Sequence, residues 1–403
     1  MAQANEIPLG LYVALESTGL VELSFDPSKS VQKSLSVVSV CKDAGHMPNW
    51  VVARGDEVYS INRTAYPDGR SSSGGVHSFR HDDTGFHAIC KASSHGKGGC
   101  HISVSPDGKA LVATNITGST VTVYPLSDDG AIGEPTYVFD YNKTDPGPLA
   151  AHPHQTSFDA RGRLMLSALR TMDCVDIYAY RSPQDIVKIA RITLPPLSGP
   201  RHFAIRSVTL SRALLYVLSE KENSIRVYRL NMTDAGPVTV NLMQAIGTLD
   251  KNCQLTAPDM NDLAAEIAIS DDGRFLYASN RGFQSLANDT MTVFAIDDTS
   301  VEHHLVYVDT QRTYGKHPRN FALSRDSANQ WVAVANQFSQ DLVVFERDVQ
   351  TGRLGSVRGK MDLRVKGTDE ITFVNRLSLE GVVTIRDCLK GRLEGPMCVQ
   401  WKK

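Results

Sequence analysis

With 403 residues, 41% of them hydrophobic and 21% charged, the chain has the composition of an ordinary globular protein with ample material for a core. Forty-two basic residues against 44 acidic ones leave a net charge of −2, which excludes the broad cationic footprint of a nucleic-acid or anionic-membrane binder. No apolar run approaches the ~18 residues of a membrane span.

The start, Met1-Ala2-Gln3-Ala4-Asn5-Glu6, lacks the basic and apolar regions of a secretory signal. Seven cysteines (41, 90, 100, 174, 253, 388, 398) show no Cys-x-x-Cys spacing and are odd in number, so free thiols and a cytoplasmic location are expected. Five Asn-x-Thr sequons, at Asn62, Asn115, Asn142, Asn231 and Asn288, are the features that would suit a secreted protein instead.

Two strands open the chain, Leu11–Leu15 and Leu20–Phe25. A strand of one recurring type then appears six times, beginning at Asn49, Cys100, His154, Arg201, Ala265 and Arg319, with steps of 51, 54, 47, 64 and 54 residues. In five of the six copies the third and fifth positions are apolar (Val51/Ala53, Ile102/Val104, Phe203/Ile205, Ile267/Ile269, Phe321/Leu323), as a blade-to-blade interface requires. An Asp/Gly turn, a second strand, a third ending near an aromatic and a weaker fourth follow. Ile102–Val104, Pro106-Asp107-Gly108, Leu111–Asn115, Val121–Tyr124 and Thr136–Phe139 make up one such unit.

Four short strands per ~50 residues predict an all-β fold, a seven-bladed β-propeller of four-stranded antiparallel blades forming a single domain over residues 1–403. The first blade lacks an inner strand, so the C-terminus must supply it and close the ring. Asp369–Val374 sits at the repeat spacing and is the expected closing strand, with Met397–Trp401 as its competitor. On that reading residues 376–403 form an extra tail.

Inner strands open with polar residues, and second strands end at Asn62-Arg63, Asn115-Ile116, Ala168-Leu169, Ser219-Glu220, Asn280-Arg281 and Asn336-Gln337. These columns predict two polar rings at one end of the channel. The long connections 63–75, 140–150, 247–263 and 282–289 belong to the same end, where function is expected. The connection 247–263 is expected to overhang the channel mouth. His152 and His154 have no third ligand at a metal-site spacing, so neither metal nor cofactor is expected, and Cys100 reads as a small buried residue.

Gly99-Cys100-His101, His152-Pro153-His154-Gln155, Gly199-Pro200-Arg201-His202, Ala264-Ala265-Glu266-Ile267, Leu276–Gly282 and Pro318-Arg319-Asn320-Phe321 together resemble the seven-bladed lactonase superfamily. That superfamily includes 6-phosphogluconolactonase-like proteins and the fungal carboxy-cis,cis-muconate cyclases. The resemblance implies a metal-independent enzyme that opens or closes a lactone ring on a small carboxylated or carbonyl-bearing metabolite. By matching motif it implies His154, Glu220, Arg201 and Arg281 as catalytic residues. Two guanidinium forks suit a carboxylate, and a His/Glu pair suits proton transfer.

The polar rings add His101, His202, Glu266, Asn280 and Arg319 as substrate-binding candidates. Leu169 joins them as a departure: relatives usually place an Asp there. A leucine at the rim predicts a ligand less polar than phosphogluconolactone. The alternatives are a cyclase acting on a larger apolar metabolite and a propeller that binds another protein. The expected partner is a small-molecule substrate, with no nucleic acid and no membrane, and the sequence leaves the oligomeric state open.

Overall fold

The structure is a computed structural model and describes residues 8–402 except 68, 70, 148, 233–237, 250, 256–261, 283–288 and 365–394. It is a seven-bladed β-propeller in which each blade is a four-stranded antiparallel sheet. Within blades 2 to 7 the strands run from the channel outward in sequence order. The six inner strands of these blades are His46–Arg54, Gly99–Val104, Pro153–Phe158, Pro200–Ser207, Asp262–Ile269 and Pro318–Leu323. They fall where the recurring sequence pattern predicts them.

Burial explains why the pattern is legible. The second strand of a blade is covered on both faces by neighbouring blades, so Leu164–Leu169 and Trp331–Asn336 are buried throughout. Outermost strands face water on one side, and Thr239–Gly247 is largely exposed or half-buried. Seven apolar clusters fill the wedges between and within blades. At the inner-to-second strand turns, Gly108 takes φ of +74°, its N–H donates to Ser105 O at 2.8 Å, and Asp107 accepts from the Lys109 N–H at 3.0 Å.

The ring is closed by Pro396–Trp401, not by the strand predicted from repeat spacing. This strand pairs with Leu9–Leu15 in the register Leu11 to Trp401 and Val13 to Val399. Residues 369–374 lie outside the described residues, as does most of the expected tail, while its end is the inner strand of blade 1. Repeat spacing misleads here because closure across the two chain ends is not bound to a uniform connection length. Side-chain fit decides instead. Trp401 fills the wedge between blades 1 and 7, packing on Phe25 at 6.0 Å with its Nε1–H donated to Ala322 O at 2.9 Å. The Val399 N–H donates to Asn320 Oδ1 at 2.8 Å, tying the same strand to blade 7.

Candidate active site

The inner strands aim their first side chains by a shared backbone device. In four blades the residue before the strand is left-handed, with φ between 49° and 69° at Gly98, His152, Gly199 and His317, and in blade 2 Met47, the second residue of the strand, has φ of 56°. A one-residue bulge follows: the pairing skips Asn49, Cys100, His154, Arg201 and Arg319, and in blade 6 it skips Ala265 and Glu266. Bulges turn the skipped residue out of the ladder. Asn49, Cys100, His154, Arg201 and Arg319 accordingly line one cavity in the channel.

The second strands contribute the rest of the wall. Just before each bulge the inner strand pairs with Leu15, Asn62, Asn115, Leu169, Ser219, Asn280 and Asn336. The residue after each forms the rim: Glu16, Arg63, Ile116, Arg170, Glu220, Arg281 and Gln337. Of these, Arg63, Ile116, Arg170, Glu220 and Arg281 line the cavity. Leu169 is therefore not a rim residue; it is fully buried in the apolar cluster with Val121, Tyr141, Cys174 and Tyr178. The sequence comparison slipped by one residue in this blade, and a one-residue slip in a strand exchanges its two faces. The rim side chain is Arg170.

Asn280 also leaves the candidate list. It is buried away from the cavity, donating to Thr248 O at 2.8 Å and accepting from Thr248 Oγ1 at 2.7 Å. Asn115 makes the equivalent bonds to Ser94, donating at 2.7 Å and accepting at 2.7 Å. Asn at this column thus staples the end of a second strand to the connection arriving from the previous blade. Asn62, which accepts from the Gly75 N–H at 2.9 Å, and Asn115 are buried and cannot carry a glycan in the folded protein, whereas Asn142 is exposed and Asn288 lies outside the described residues.

The cavity measures about 220 Å³ and is lined by five guanidiniums and one carboxylate. Arg281 Nη2 lies 2.5 Å from Glu220 Oε1, Arg170 Nε donates to Oε2, and Arg201 Nε stands 3.9 Å from Oε1. Burial pushes the Glu220 carboxyl up, but Arg281, Arg170 and Arg201 outweigh it and hold the group ionised well below the usual carboxylate range. Glu16 pairs with Arg63 at 3.2 Å. Arg319 reaches Asn49 Oδ1 at 3.5 Å, and burial, then Arg63 and Arg281, push it down to about 10. Arg201 is 1% exposed, its Nε has no hydrogen-bond partner, and burial followed by Arg281 and Arg319 presses it well below its ordinary value. Positive charge is in excess.

His154 lines the same cavity and is neutral, held well below its ordinary value by burial and then by Arg201. Its Nδ1 lies 3.1 Å from His202 Nε2, and His202 Nδ1 lies 2.8 Å from Glu266 Oε1. His101 packs between Trp50 at 4.6 Å and, edge-on, His202 at 5.8 Å, and burial lowers it to about 3. His101, His202 and Glu266 therefore form a layer beneath the cavity and do not line it. Cys100 is buried, its Sγ 3.3 Å from His154 O, and burial pushes its thiol up to about 11. Such a thiol is not a nucleophile at neutral pH.

The structure thus brings His154, Arg201, Glu220, Arg281 and Arg319 together and adds Arg63, Arg170 and Asn49, which sequence reasoning did not select. His317 also belongs here, its Nε2 3.4 Å from Arg281 Nη1 and its ring stacked on Phe338 at 3.8 Å. Arg63 stood in the second-strand column, so register alone could have found it. Among the described residues no group of three or more His, Cys, Asp or Glu side chains is arranged to hold a metal ion. Residues 250 and 256–261 of the connection 247–263 fall outside the described residues, and its expected overhang with them.

The family model for the seven-bladed β-propeller lactonases matches residues 6–369. The chain is 29% identical over 285 residues to a 6-phosphogluconolactonase of Formosa agariphila, covering 68% of this chain and 74% of that one. It is 26% identical over 358 residues to a 6-phosphogluconolactonase of Bacillus subtilis, covering 86% and 92%. A periplasmic gluconolactonase structure from Pseudomonas aeruginosa superposes with a TM-score of 0.71 at 23% identity, over 91% of this chain and 99% of that one, which shows the shared fold. The chain belongs to the seven-bladed β-propeller lactonase family.

Proposed function

We propose that this protein hydrolyses the lactone of a small, strongly anionic sugar acid, with 6-phosphogluconolactone as the reference substrate. The observation that carries the reading is the excess of guanidinium around a cavity of about 220 Å³. That volume suits a single metabolite, since pockets for drug-sized ligands run roughly 300–1,000 Å³. A phosphate or carboxylate supplies the missing negative charge, an acceptor for Arg201, whose Nε has no hydrogen-bond partner, and one for Arg319, whose bond to Asn49 Oδ1 is long at 3.5 Å. The relatives named 6-phosphogluconolactonase support the reaction type.

The expected apolar ligand loses its basis, because Leu169 lies in the core and Ile116 and Cys100 are the apolar side chains of the lining. In the proposed reaction the guanidiniums bind the anion and face the carbonyl oxygen as charge develops on it. His154, neutral with Nδ1 committed to His202, offers Nε2 to take a proton from the attacking water. Glu220 positions Arg170 and Arg281 and does not itself titrate near neutrality.

The test is hydrolysis of freshly prepared 6-phosphogluconolactone, followed by acid release against the spontaneous rate. Turnover at an ordinary enzymatic rate that falls at least about 100-fold in His154→Ala supports the reading. A rate equal to spontaneous opening contradicts it.

A further inference from the structure

A second cavity of about 250 Å³ lies on the other side of the inner layer, lined by Trp50, Glu266, Asn320, Asp271, Arg325 and Gln400 among others. Asp271 and Arg325 are exposed residues of the face that carries the short turns, so this cavity belongs to the opposite end of the channel. His154 lines the first cavity, Glu266 lines the second, and His202, fully buried, lines neither. The bonds of 3.1 Å from His154 to His202 and 2.8 Å from His202 to Glu266 join the two without interruption.

The donor directions are set by the surroundings. Arg201 Nη1 lies 3.3 Å from His202 Nε2 and can only donate, so Nε2 is an acceptor and the His202 proton sits on Nδ1, facing Glu266. His154 Nδ1 must then donate to His202 Nε2, which leaves His154 Nε2 as the acceptor on the cavity side. Glu266 accepts from the Ile267 N–H at 3.0 Å and from Asn320 Nδ2 at 2.6 Å.

We propose that His154, His202 and Glu266 form a proton wire that exports the proton of lactone hydrolysis through the septum to the opposite end of the channel. This rests on the hydrolase reading above. The water oxygen bonds the carbonyl carbon and gives one proton to His154 Nε2; the Nδ1 proton of His154 moves to His202 Nε2, and the Nδ1 proton of His202 moves to the Glu266 carboxylate. The ring carbon–oxygen bond then breaks, and the second proton of the attacking water goes to the leaving ring oxygen. Products are the hydroxy-carboxylate and one proton, which Glu266 delivers to water in the second cavity.

The wire serves a site crowded with positive charge, where a proton released beside five guanidiniums is unfavourable. Groups facing Glu266 are His202 and Arg201 from blade 5, His101 from blade 3, Trp50 from blade 2, Asn320 from blade 7 and Cys398 from blade 1, with Asp271 and Arg325 at the mouth below. Burial raises Glu266 to about 7, despite Arg201, which suits a group that must both accept and release a proton near neutrality.

Glu266→Gln keeps the side chain's shape and its acceptor for His202 while removing the proton-carrying carboxylate. Its kcat at pH 7 to 8 is expected to fall about 10-fold or more with KM within about twofold, and added formate is expected to restore turnover in a saturable manner. Wild-type kcat and pH profile in this variant, or a loss confined to KM and unresponsive to formate, overturns the wire. Imidazole 15N shifts of the unsubstituted protein give a readout that needs no substrate. The His202 signals are expected to move with a midpoint near 7 and to stay flat in Glu266→Gln. A flat His202 response in the unsubstituted protein overturns the wire even if lactones are hydrolysed. The titration seen without hydrolysis of any anionic lactone overturns the reaction assigned to the wire.

Discussion

Arg281 holds Glu220 across the channel rim, Nη2 to Oε1 at 2.5 Å, while Arg170 takes the carboxylate's other oxygen. An ionised group used at both oxygens orients two guanidiniums and has little left for proton transfer. Glu220→Gln is therefore expected to lower kcat/KM by roughly 100-fold through misplaced guanidiniums, while both limbs of the pH profile stay where they are. Disappearance of a limb would show Glu220 titrating in the reaction.

Glu220 and Glu266, both buried, give stability opposite pH dependences. Glu220 is held below its unfolded value, so its contribution is present above the ordinary carboxylate range and is lost as pH falls. Glu266 is raised from 4.5 to about 7, so its contribution is complete below 4.5 and is lost as pH rises through 7. The Tm difference between Glu266→Gln and the unsubstituted protein is accordingly expected to shift in the variant's favour from pH 4.5 to pH 8. Thermal scans in matched buffers check this, and a difference independent of pH would refute it.

Leu169 and Arg170 are adjacent and face opposite ways. Leu169→Ala should cost about 2–5 kcal/mol of stability, as for a buried leucine, with KM nearly unchanged. Arg170→Ala should leave urea unfolding within about 1 kcal/mol and raise KM for an anionic lactone several-fold. Paired denaturation and kinetic measurements on the two variants separate the roles; a KM effect in Leu169→Ala with none in Arg170→Ala would restore the leucine to the rim.

Ring closure by Pro396–Trp401 makes Trp401 a cornerstone of blade 1. Trp401→Ala removes its packing on Phe25 and the bond to Ala322 O, at an expected cost of roughly 3–5 kcal/mol. Unfolding within 1 kcal/mol of the parent would place the stabilising closure elsewhere.

Exhaustive chelation is expected to leave hydrolysis at its original rate, since the proposed steps use guanidiniums, imidazoles and the Glu266 carboxylate. Loss in EDTA restored by one divalent metal would contradict this.

The blades were legible because inner strands repeat their apolar positions and end in stereotyped turns, and that repetition survives variable connection lengths. It also carried His154, Arg201, Glu220, Arg281 and Arg319, which occupy equivalent columns. What failed were decisions finer than the repeat. Leu169 and Arg170 differ by one residue, and composition around them does not reveal which faces the channel; the pairing of Leu169 with Pro153 and Cys174 does. Asn280 looked like a rim residue because polar columns serve both as staples and as ligands, and only its bonds to Thr248 tell them apart. The closing strand escaped because Trp401 is selected by the wedge it fills, which no spacing rule encodes. His202 and Glu266 read as substrate contacts because a sequence does not show the depth at which a channel side chain sits.

The central claim is that the guanidinium-lined cavity selects a lactone by its negative charge. Comparing kcat/KM for 6-phosphogluconolactone and for gluconolactone lacking the phosphate tests it most directly. The account predicts a preference of at least about 100-fold for the phosphorylated substrate, near 3 kcal/mol of discrimination, which shrinks about tenfold or more in Arg281→Ala. Equal kcat/KM for the two lactones, or a preference untouched by that substitution, would contradict it.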